Sequence, residues 1–210
     1  MKTIITTALF DLDGVLIDSA KLVEGSFNHT LALFKTGKKA EDVLDGGSTI
    51  REVYGKLTTA EELPKFVEAH AAFQRDNLHL VTAFEDAART LETLRAKGIH
   101  TGVITNRSIN ARRIIEHCKL DSLIDLVISV EDVKNPKPHP EGILKAMTHF
   151  GSKLFETIMV GDMPVDIEAG KAAGVITVGI NTNGNLEDLK KAGPDYITGS
   201  LGELVPLLFS

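Results

Sequence analysis

The first apolar run of the chain predicts a buried strand over residues 2–10. Its side chains are mostly apolar, and no helix-breaking residue interrupts it. The run ends in the sequence Asp-Leu-Asp-Gly, and side chains two positions apart on an extended chain point in the same direction. Asp11 and Asp13 can therefore share one site at the end of this strand. Because paired carboxylates repel each other and lose solvation, such a pair indicates a bound cation or a reaction.

After Gly14 the pattern changes to a helical period. Apolar residues recur every three or four positions in two stripes, Val23 to Phe34 and Leu63 to Phe73. A glycine-containing loop at 45–51 and a short helix ending near Leu57 lie between the stripes. No strand pattern is visible between residue 15 and about residue 80. We therefore predict a small helical domain, residues 15–81, inserted into a core formed by residues 1–14 and 82–210.

Beyond residue 85, helical patterns alternate with short apolar strands. This alternation is typical of an α/β fold in which βαβ units build a parallel sheet. The predicted helices cover 86–97, 109–118, 141–150, 164–173 and 201–209, and the predicted strands cover 101–105, 126–130, 157–160, 175–180 and an edge strand at 195–197.

Composition narrows the possible partners and compartment. The net charge of −6 argues against a nucleic-acid partner, which would select clustered lysine and arginine. Cys118 is the only cysteine, so a reducing compartment is the simpler interpretation. The first apolar run is broken by Asp11, and no run approaches the roughly 20 residues that span a bilayer. We expect a cytoplasmic protein without a membrane partner, present as a monomer or weak homodimer.

Polar side chains recur where the predicted strands end. In an open parallel sheet, ligands bind in the crevice beyond the carboxyl ends of the strands, so these residues are expected to converge. The cluster would hold four carboxylates, one hydroxyl and one ammonium group. Its members are Asp11 with Asp13, Thr105 with Asn106, Lys137 in a loop containing three prolines, and Asp162 with Asp166.

This set of groups suits phosphoryl transfer to a carboxylate nucleophile. Asp11 would attack phosphorus, and Asp13 would protonate the leaving oxygen and later accept a proton from water. Lys137 and Mg²⁺ would offset the repulsion between the carboxylate and the phosphate. Lys134 competes with Lys137 for this role, and a lone lysine in such a loop is usually a solvated charge, but the prolines on both sides of Lys137 fix its backbone.

The remaining residues would bind the metal and the substrate. Asp11 and Asp162 are predicted Mg²⁺ ligands, with Asp166 binding directly or through water. The alternative for Asp166 is a helix first-turn aspartate favoured by the dipole. Thr105, with Asn106 beside it, is predicted to hold the phosphoryl oxygens of a small phosphorylated metabolite.

Four motifs in this order resemble those of the haloacid dehalogenase superfamily. They are the Asp-x-Asp-Gly sequence at Asp11, the apolar strand ending at Thr105, the Lys137-Pro138 loop, and the Gly-Asp-x-x-x-Asp sequence at 161–166. The resemblance implies a Rossmann-like three-layer core, an Mg²⁺ site to which Asp13 adds its backbone carbonyl, and an aspartyl-phosphate intermediate. It also implies that residues 15–81 form a helical cap.

Within the superfamily, the chain is most similar to phosphoglycolate phosphatase-like enzymes. The likeness lies in the sequences Thr-Asn-Arg-Ser at 105–108 and Lys-Pro-His-Pro at 137–140, whereas Met163 and the pair Ala83-Phe84 depart from the usual pattern. The resemblance implies a phosphatase acting on a small phosphomonoester such as phosphoglycolate. A sugar phosphomutase or a pyrophosphatase on the same core remains an alternative, as does a signalling switch that is phosphorylated on aspartate.

The loop at 45–51 is a candidate for substrate contact from the cap. We hypothesise that Gly46 and Gly47 let this loop reach over the site, so that Ser48 or Arg51 contacts the distal end of the substrate. A surface position for Arg51 is an equal alternative.

Overall fold

The computed structural model describes residues 4–108, 110–182 and 184–209. Within them a six-stranded parallel sheet has the order β5-β4-β1-β6-β7-β8, and β2 and β3 form a separate antiparallel pair. The strands are β1 (Thr7–Phe10), β2 (Ile17–Asp18), β3 (Thr82–Ala83), β4 (His100–Ile104), β5 (Leu126–Ile128), β6 (Thr157–Gly161), β7 (Ile176–Ile180) and β8 (Tyr196–Thr198).

Between residues 87 and 180, α-helices alternate with strands as the sequence predicted. The α-helices are α1 (Ala20–Leu33), α2 (Ile50–Gly55), α3 (Leu63–Asp76), α4 (Ala87–Ala96), α5 (Ala111–His117), α6 (Glu141–Phe150), α7 (Pro164–Ala173), α8 (Leu186–Ala192) and α9 (Leu204–Phe209).

Alternate side chains of the strands point into two separate hydrophobic cores. Phe10 of β1 packs in a core with α4, α5 and α9, whereas its neighbour Leu9 packs in a core with α6 and α7. This two-residue alternation places helices on both faces of the sheet. The predicted α/β fold with a Rossmann-like three-layer core is confirmed.

The helices α1, α2 and α3 form a unit with its own hydrophobic core. Phe27 and Leu31 of α1, Tyr54 of α2 and Phe66 of α3 are buried together there. The strands β2 and β3, which precede α1 and follow α3, pair with each other. The expectation that no strand lies between residues 15 and 80 was wrong at β2, because a two-residue strand is too short to show a period-2 pattern.

Other differences from the sequence prediction lie at the ends of elements. The helix α8 was not predicted, because Leu189 is its one fully buried residue and gives no apolar stripe. The predicted strand over 2–10 is a strand from Thr7 onward, and its first two residues lie outside the described part, as does Ile109. Among the described residues, no helix combines the length and apolar character needed to cross a bilayer.

Candidate active site

Three neighbouring strands bring the predicted site residues to one edge of the sheet. The strand β1 is hydrogen-bonded between β4 and β6. Asp11, Thr105 and Asp162 each follow directly after one of these strands. Because the strands are parallel, the three residues lie side by side at their carboxyl ends.

A buried cluster of carboxylates lies at this edge. One oxygen each from Asp11, Asp162 and Asp166 lies within 4.8 Å of the others. A Cβ atom at Gly161 would overlap the Asp166 carboxylate, so glycine is required there for this close approach. Three converging carboxylates match the hard oxygen ligands that Mg²⁺ prefers, so the residues fit the metal that the sequence predicts.

Asp166 has a second contact that fixes its side chain. Its Oδ2 accepts a hydrogen bond of 3.0 Å from the backbone N–H of Met163, which precedes α7. The carboxylate therefore caps the helix while its Oδ1 faces the cluster. Both sequence interpretations of Asp166, as a helix first-turn residue and as a member of the cluster, describe its position.

Lys137 lies inside the carboxylate cluster rather than in solvent. Its Nζ donates to Asp11 Oδ1 at 2.7 Å and to Asp166 Oδ1 at 2.6 Å, and its side chain is 3% exposed. Burial alone would lower the pKa of Lys137, but the two carboxylates outweigh it and raise that pKa. The side chain is therefore an ammonium ion. Lys134, the alternative, is exposed.

Asn106 holds the loop that carries Lys137. Its side-chain oxygen accepts from the backbone N–H of Lys137 at 3.0 Å, and its side-chain nitrogen donates to the backbone carbonyl of Lys137 at 2.8 Å. Both polar atoms of the amide are thus used to position the lysine. In this structure Asn106 acts through Lys137, and its predicted contact with substrate stays a prediction.

The surroundings of Asp11 oppose its ionisation. Burial raises the pKa of Asp11, the Lys137 ammonium lowers it, and the Asp166 and Asp13 carboxylates raise it again, which gives a pKa raised to about 7. A divalent cation among the carboxylates would favour the ionised form that a nucleophile requires.

Asp13 is paired with Arg107, a residue for which no role was predicted from the sequence. The Arg107 Nη2 lies 2.5 Å from Asp13 Oδ1, and Nε donates to Oδ2 at 2.9 Å. Ser19 Oγ also donates to this carboxylate. Burial opposes ionisation, but Arg107 and these hydrogen bonds outweigh it and lower the pKa of Asp13.

A chain of buried polar side chains runs from Arg107 into the helical unit. The Arg107 Nη1 donates to Gln74 Oε1 at 2.7 Å, so the amide nitrogen of Gln74 faces His70 Nε2, at 3.0 Å. His70 Nε2 then accepts, which leaves Nδ1 to donate to Tyr54 OH at 2.8 Å. Burial, with Arg107 adding, lowers the pKa of His70 to about 3. From the sequence, His70 was predicted only to pack within the helical stripe Leu63 to Phe73.

A cavity of about 560 Å³ lies above the cluster, between the helical unit and the sheet edge. Thr105 lines it and is 4% exposed, with its Oγ1 accepting from the backbone N–H of Arg107 at 3.0 Å. Ser48 also lines the cavity. Arg51 is solvent-exposed at the start of α2, outside the lining that the described residues form, so its contact with substrate stays a prediction.

The loop at 45–51 closes against the core. A Cβ atom at Gly46 would overlap the Met163 side chain, and one at Gly47 would lie 2.9 Å from Val165. Asn106 also donates from Nδ2 to the Gly47 carbonyl at 3.3 Å. The two glycines therefore allow a close approach that a larger residue at either position would disturb, since Met163 or Val165 would have to move.

Together, the α/β fold and the buried carboxylate–lysine cluster indicate that the protein is a hydrolase. The family model described as haloacid dehalogenase-like hydrolase matches residues 8–180. The chain belongs to this family, as the four motifs predicted.

Similar proteins match over nearly the whole chain. A protein named pyrophosphatase PpaX from Bacillus mycoides (strain KBAB4) is 34% identical over 212 aligned positions, which cover 97% of each chain. Among solved structures, a haloacid dehalogenase-superfamily hydrolase of subfamily IA from Geobacter sulfurreducens PCA has a TM-score of 0.72 at 28% identity, covering 97% of this chain and 96% of that one. A predicted phosphoglycolate phosphatase from Haemophilus somnus 129PT has a TM-score of 0.86 at 23% identity, covering 97% of both chains, which shows the shared fold.

Proposed function

We propose that this protein is a Mg²⁺-dependent phosphatase that hydrolyses a small phosphomonoester through an aspartyl-phosphate on Asp11. The observation that carries the proposal is the position of Asp11 beside the Lys137 ammonium and within 4.8 Å of the Asp162 and Asp166 carboxylates. A carboxylate nucleophile and a phosphate repel each other, so fixed positive charge at this point is what the reaction requires.

The first half of the reaction breaks the ester bond. An oxygen of Asp11 attacks phosphorus, the bond to the leaving oxygen breaks, and Asp13 in its protonated form donates the proton that makes the leaving group an alcohol. Lys137 keeps Asp11 oriented, and Thr105 Oγ1 lies at the same sheet edge for the phosphoryl oxygens. When bound by Asp11, Asp162 and Asp166 and the carbonyl of Asp13, Mg²⁺ would neutralise phosphoryl charge.

The second half regenerates the enzyme. Asp13, now ionised, accepts a proton from water as the water oxygen attacks the aspartyl-phosphate, and the bond between phosphorus and Asp11 breaks to release inorganic phosphate. The ion pair with Arg107 favours this ionised form of Asp13. We further propose that residues 15–81 act as a cap that excludes water while the ester is bound.

The names of similar proteins suggest two substrates, pyrophosphate and phosphoglycolate. The direct test measures inorganic phosphate released from both compounds and from sugar phosphates, with Mg²⁺ and with a chelator. We expect metal-dependent release from at least one of them. Formation of an isomer without phosphate would instead favour a mutase, and a long-lived phosphoprotein without turnover would favour a signalling switch.

A further inference from the structure

The walls of the cavity above the carboxylate cluster are apolar. Helix α1 contributes Val23 and Phe27, and the segment after it contributes Leu44. Phe84 and Val165 are further apolar residues that line the cavity. The part of the substrate that leaves during the reaction would lie against these walls, because the floor holds the phosphoryl-transfer residues.

The rim of the cavity is acidic. Four lining residues carry exposed carboxylates: Asp18, Glu24, Glu41 and Asp45. Lys39 lies 3.8 Å from Glu41 and Lys56 lies 3.9 Å from Asp45, but both lysines are largely exposed and neither lines the cavity.

The positive charges of the cavity are already engaged. Arg107 and Lys137 are the cations among the lining residues that the structure describes. Arg107 is paired with Asp13, and Lys137 with Asp11 and Asp166. A second anionic group on the substrate, beyond the phosphoryl group, would thus meet apolar walls and carboxylates, which disfavour it by desolvation and by repulsion.

We propose that this site selects phosphomonoesters whose leaving group has no negative charge and presents an apolar face to Val23, Phe27 and Leu44. The proposal rests on the phosphatase function proposed above and narrows its substrate class. It disfavours both phosphoglycolate, whose leaving group carries a carboxylate, and pyrophosphate, whose leaving group is itself phosphate.

A series of matched esters tests the charge requirement. Phosphoglycolate, 2-hydroxyethyl phosphate and phosphoethanolamine have similar length and differ in the charge at the distal end, and benzyl phosphate adds an apolar body. With saturating Mg²⁺, we expect kcat/KM for 2-hydroxyethyl phosphate and benzyl phosphate to exceed that for phosphoglycolate by about tenfold or more.

A charge reversal on the rim tests whether the acidic residues there cause the preference for a leaving group without negative charge. Glu24→Lys places a cation beside the leaving group, so the ratio of kcat/KM for phosphoglycolate to that for 2-hydroxyethyl phosphate should rise by about tenfold. Glu61→Lys, an equal change of net charge at an exposed position outside the lining, should leave this ratio unchanged. Using the ratio removes general effects of either variant on folding or on association.

The outcomes separate this proposal from the phosphatase function. Preferred hydrolysis of phosphoglycolate or pyrophosphate over 2-hydroxyethyl and benzyl phosphate would overturn the substrate class and leave the phosphatase function standing. An equal change of the ratio in both lysine variants would overturn the role of the rim. Release of phosphate from none of the compounds would overturn the phosphatase function and this proposal with it.

Discussion

Asp13 and Arg107 form an ion pair at the edge of the carboxylate cluster. The Arg107 side chain is 6% exposed and that of Asp13 is 29% exposed, so water screens the pair only in part. Because Arg107 lowers the pKa of Asp13, it favours the ionised form that accepts a proton from water in the proposed mechanism. In that mechanism Arg107 is a positioning residue, which acts through Asp13.

Replacing this arginine should change how the rate depends on pH. In Arg107→Gln the carboxylate loses its cation, so the pKa of Asp13 rises and the acidic limb of the kcat profile moves to higher pH. We expect kcat to fall in the acidic range and to recover as the pH rises, because less of Asp13 is ionised at low pH.

The control for this prediction is Arg113→Gln, because Arg113 is exposed on the neighbouring helix α5. A profile that keeps its shape in Arg107→Gln, with kcat lowered equally at every pH, would contradict the role of Arg107 in setting the protonation of Asp13.

At the scale of single residues, the sequence correctly predicted that the site residues directly after strands lie together. Asp11, Thr105 and Asp162 lie together because parallel strands end at one edge, and that rule needs no side-chain detail. Arg107 was missed because its partners are fixed by the tertiary structure: Asp13 is 94 positions away and Gln74 is 33 positions away. A salt bridge between such distant residues leaves no periodic pattern.

The loop at 45–51 is the element that brings the helical unit into contact with the core. Gly46 has a φ of +74° and packs against Met163, one of the residues that depart from the family pattern. Met163 is in turn contacted by Asn185, whose Nδ2 lies 3.3 Å from the sulfur. The flexible methionine thus fills the space between this loop and the edge that carries the carboxylate cluster.

Alanine substitutions at Gly46 and at Gly37 separate the effect of the Met163 contact from the effect of backbone strain. Gly46→Ala introduces both an unfavourable φ and an overlap with Met163, whereas Gly37→Ala, at a φ of +72°, introduces the strain with no atom within 4 Å. Both variants should lose about 1 kcal/mol of stability. Only Gly46→Ala should also lower kcat/KM, by about tenfold, because the loop no longer closes over the site.

Steady-state kinetics and thermal unfolding of the two variants check this expectation. Met163→Ala, combined with Gly46→Ala, should recover most of the lost kcat/KM because it removes the overlapping atoms. Equal activity of Gly46→Ala and Gly37→Ala would mean that the loop contact does not matter for turnover.

Elements whose ends or period are marked in the sequence were predictable, and three short elements without such marks were not. The bounds of α6 and α7 agree with the sequence prediction, because proline and glycine mark their ends. The paired strands β2 and β3 have two residues each, and α8 buries one residue, so none of the three produces a readable period. Their formation depends on tertiary contacts.

At the scale of the whole molecule, a chain of buried polar side chains connects the helical unit to the edge of the sheet that carries the carboxylate cluster. Tyr54, His70 and Gln74 belong to α2 and α3, and Arg107 and Asp13 belong to the core. His70 is 2% exposed, and its pKa is lowered to about 3. The chain therefore holds together only while this histidine is neutral.

Acid should destabilise the fold through His70. In the unfolded chain a histidine has a pKa of about 6.5, so between that value and about 3 the unfolded state binds a proton that the folded state does not. Stability consequently falls as the pH falls through this window. The contribution of His70 to the loss between pH 7 and pH 5 is about 2 kcal/mol.

Chemical unfolding of the original protein and of His70→Gln at pH 7 and pH 5 measures this contribution. The variant should lose less stability on acidification by about that amount, while His79→Gln, at an exposed position, should behave as the original protein does. An acid-induced loss that is the same with and without His70 would show that the histidine is not the responsible group.

The central claim is that Asp11 carries the phosphoryl group, and trapping that intermediate tests it most directly. The enzyme is mixed with Mg²⁺ and a radiolabelled phosphomonoester that it hydrolyses, quenched in acid, digested and mapped. We predict a hydroxylamine-labile label on the peptide that contains Asp11, and neither label nor turnover in a folded Asp11→Asn variant. Label on another residue, or sustained phosphate release by Asp11→Asn, would contradict the account.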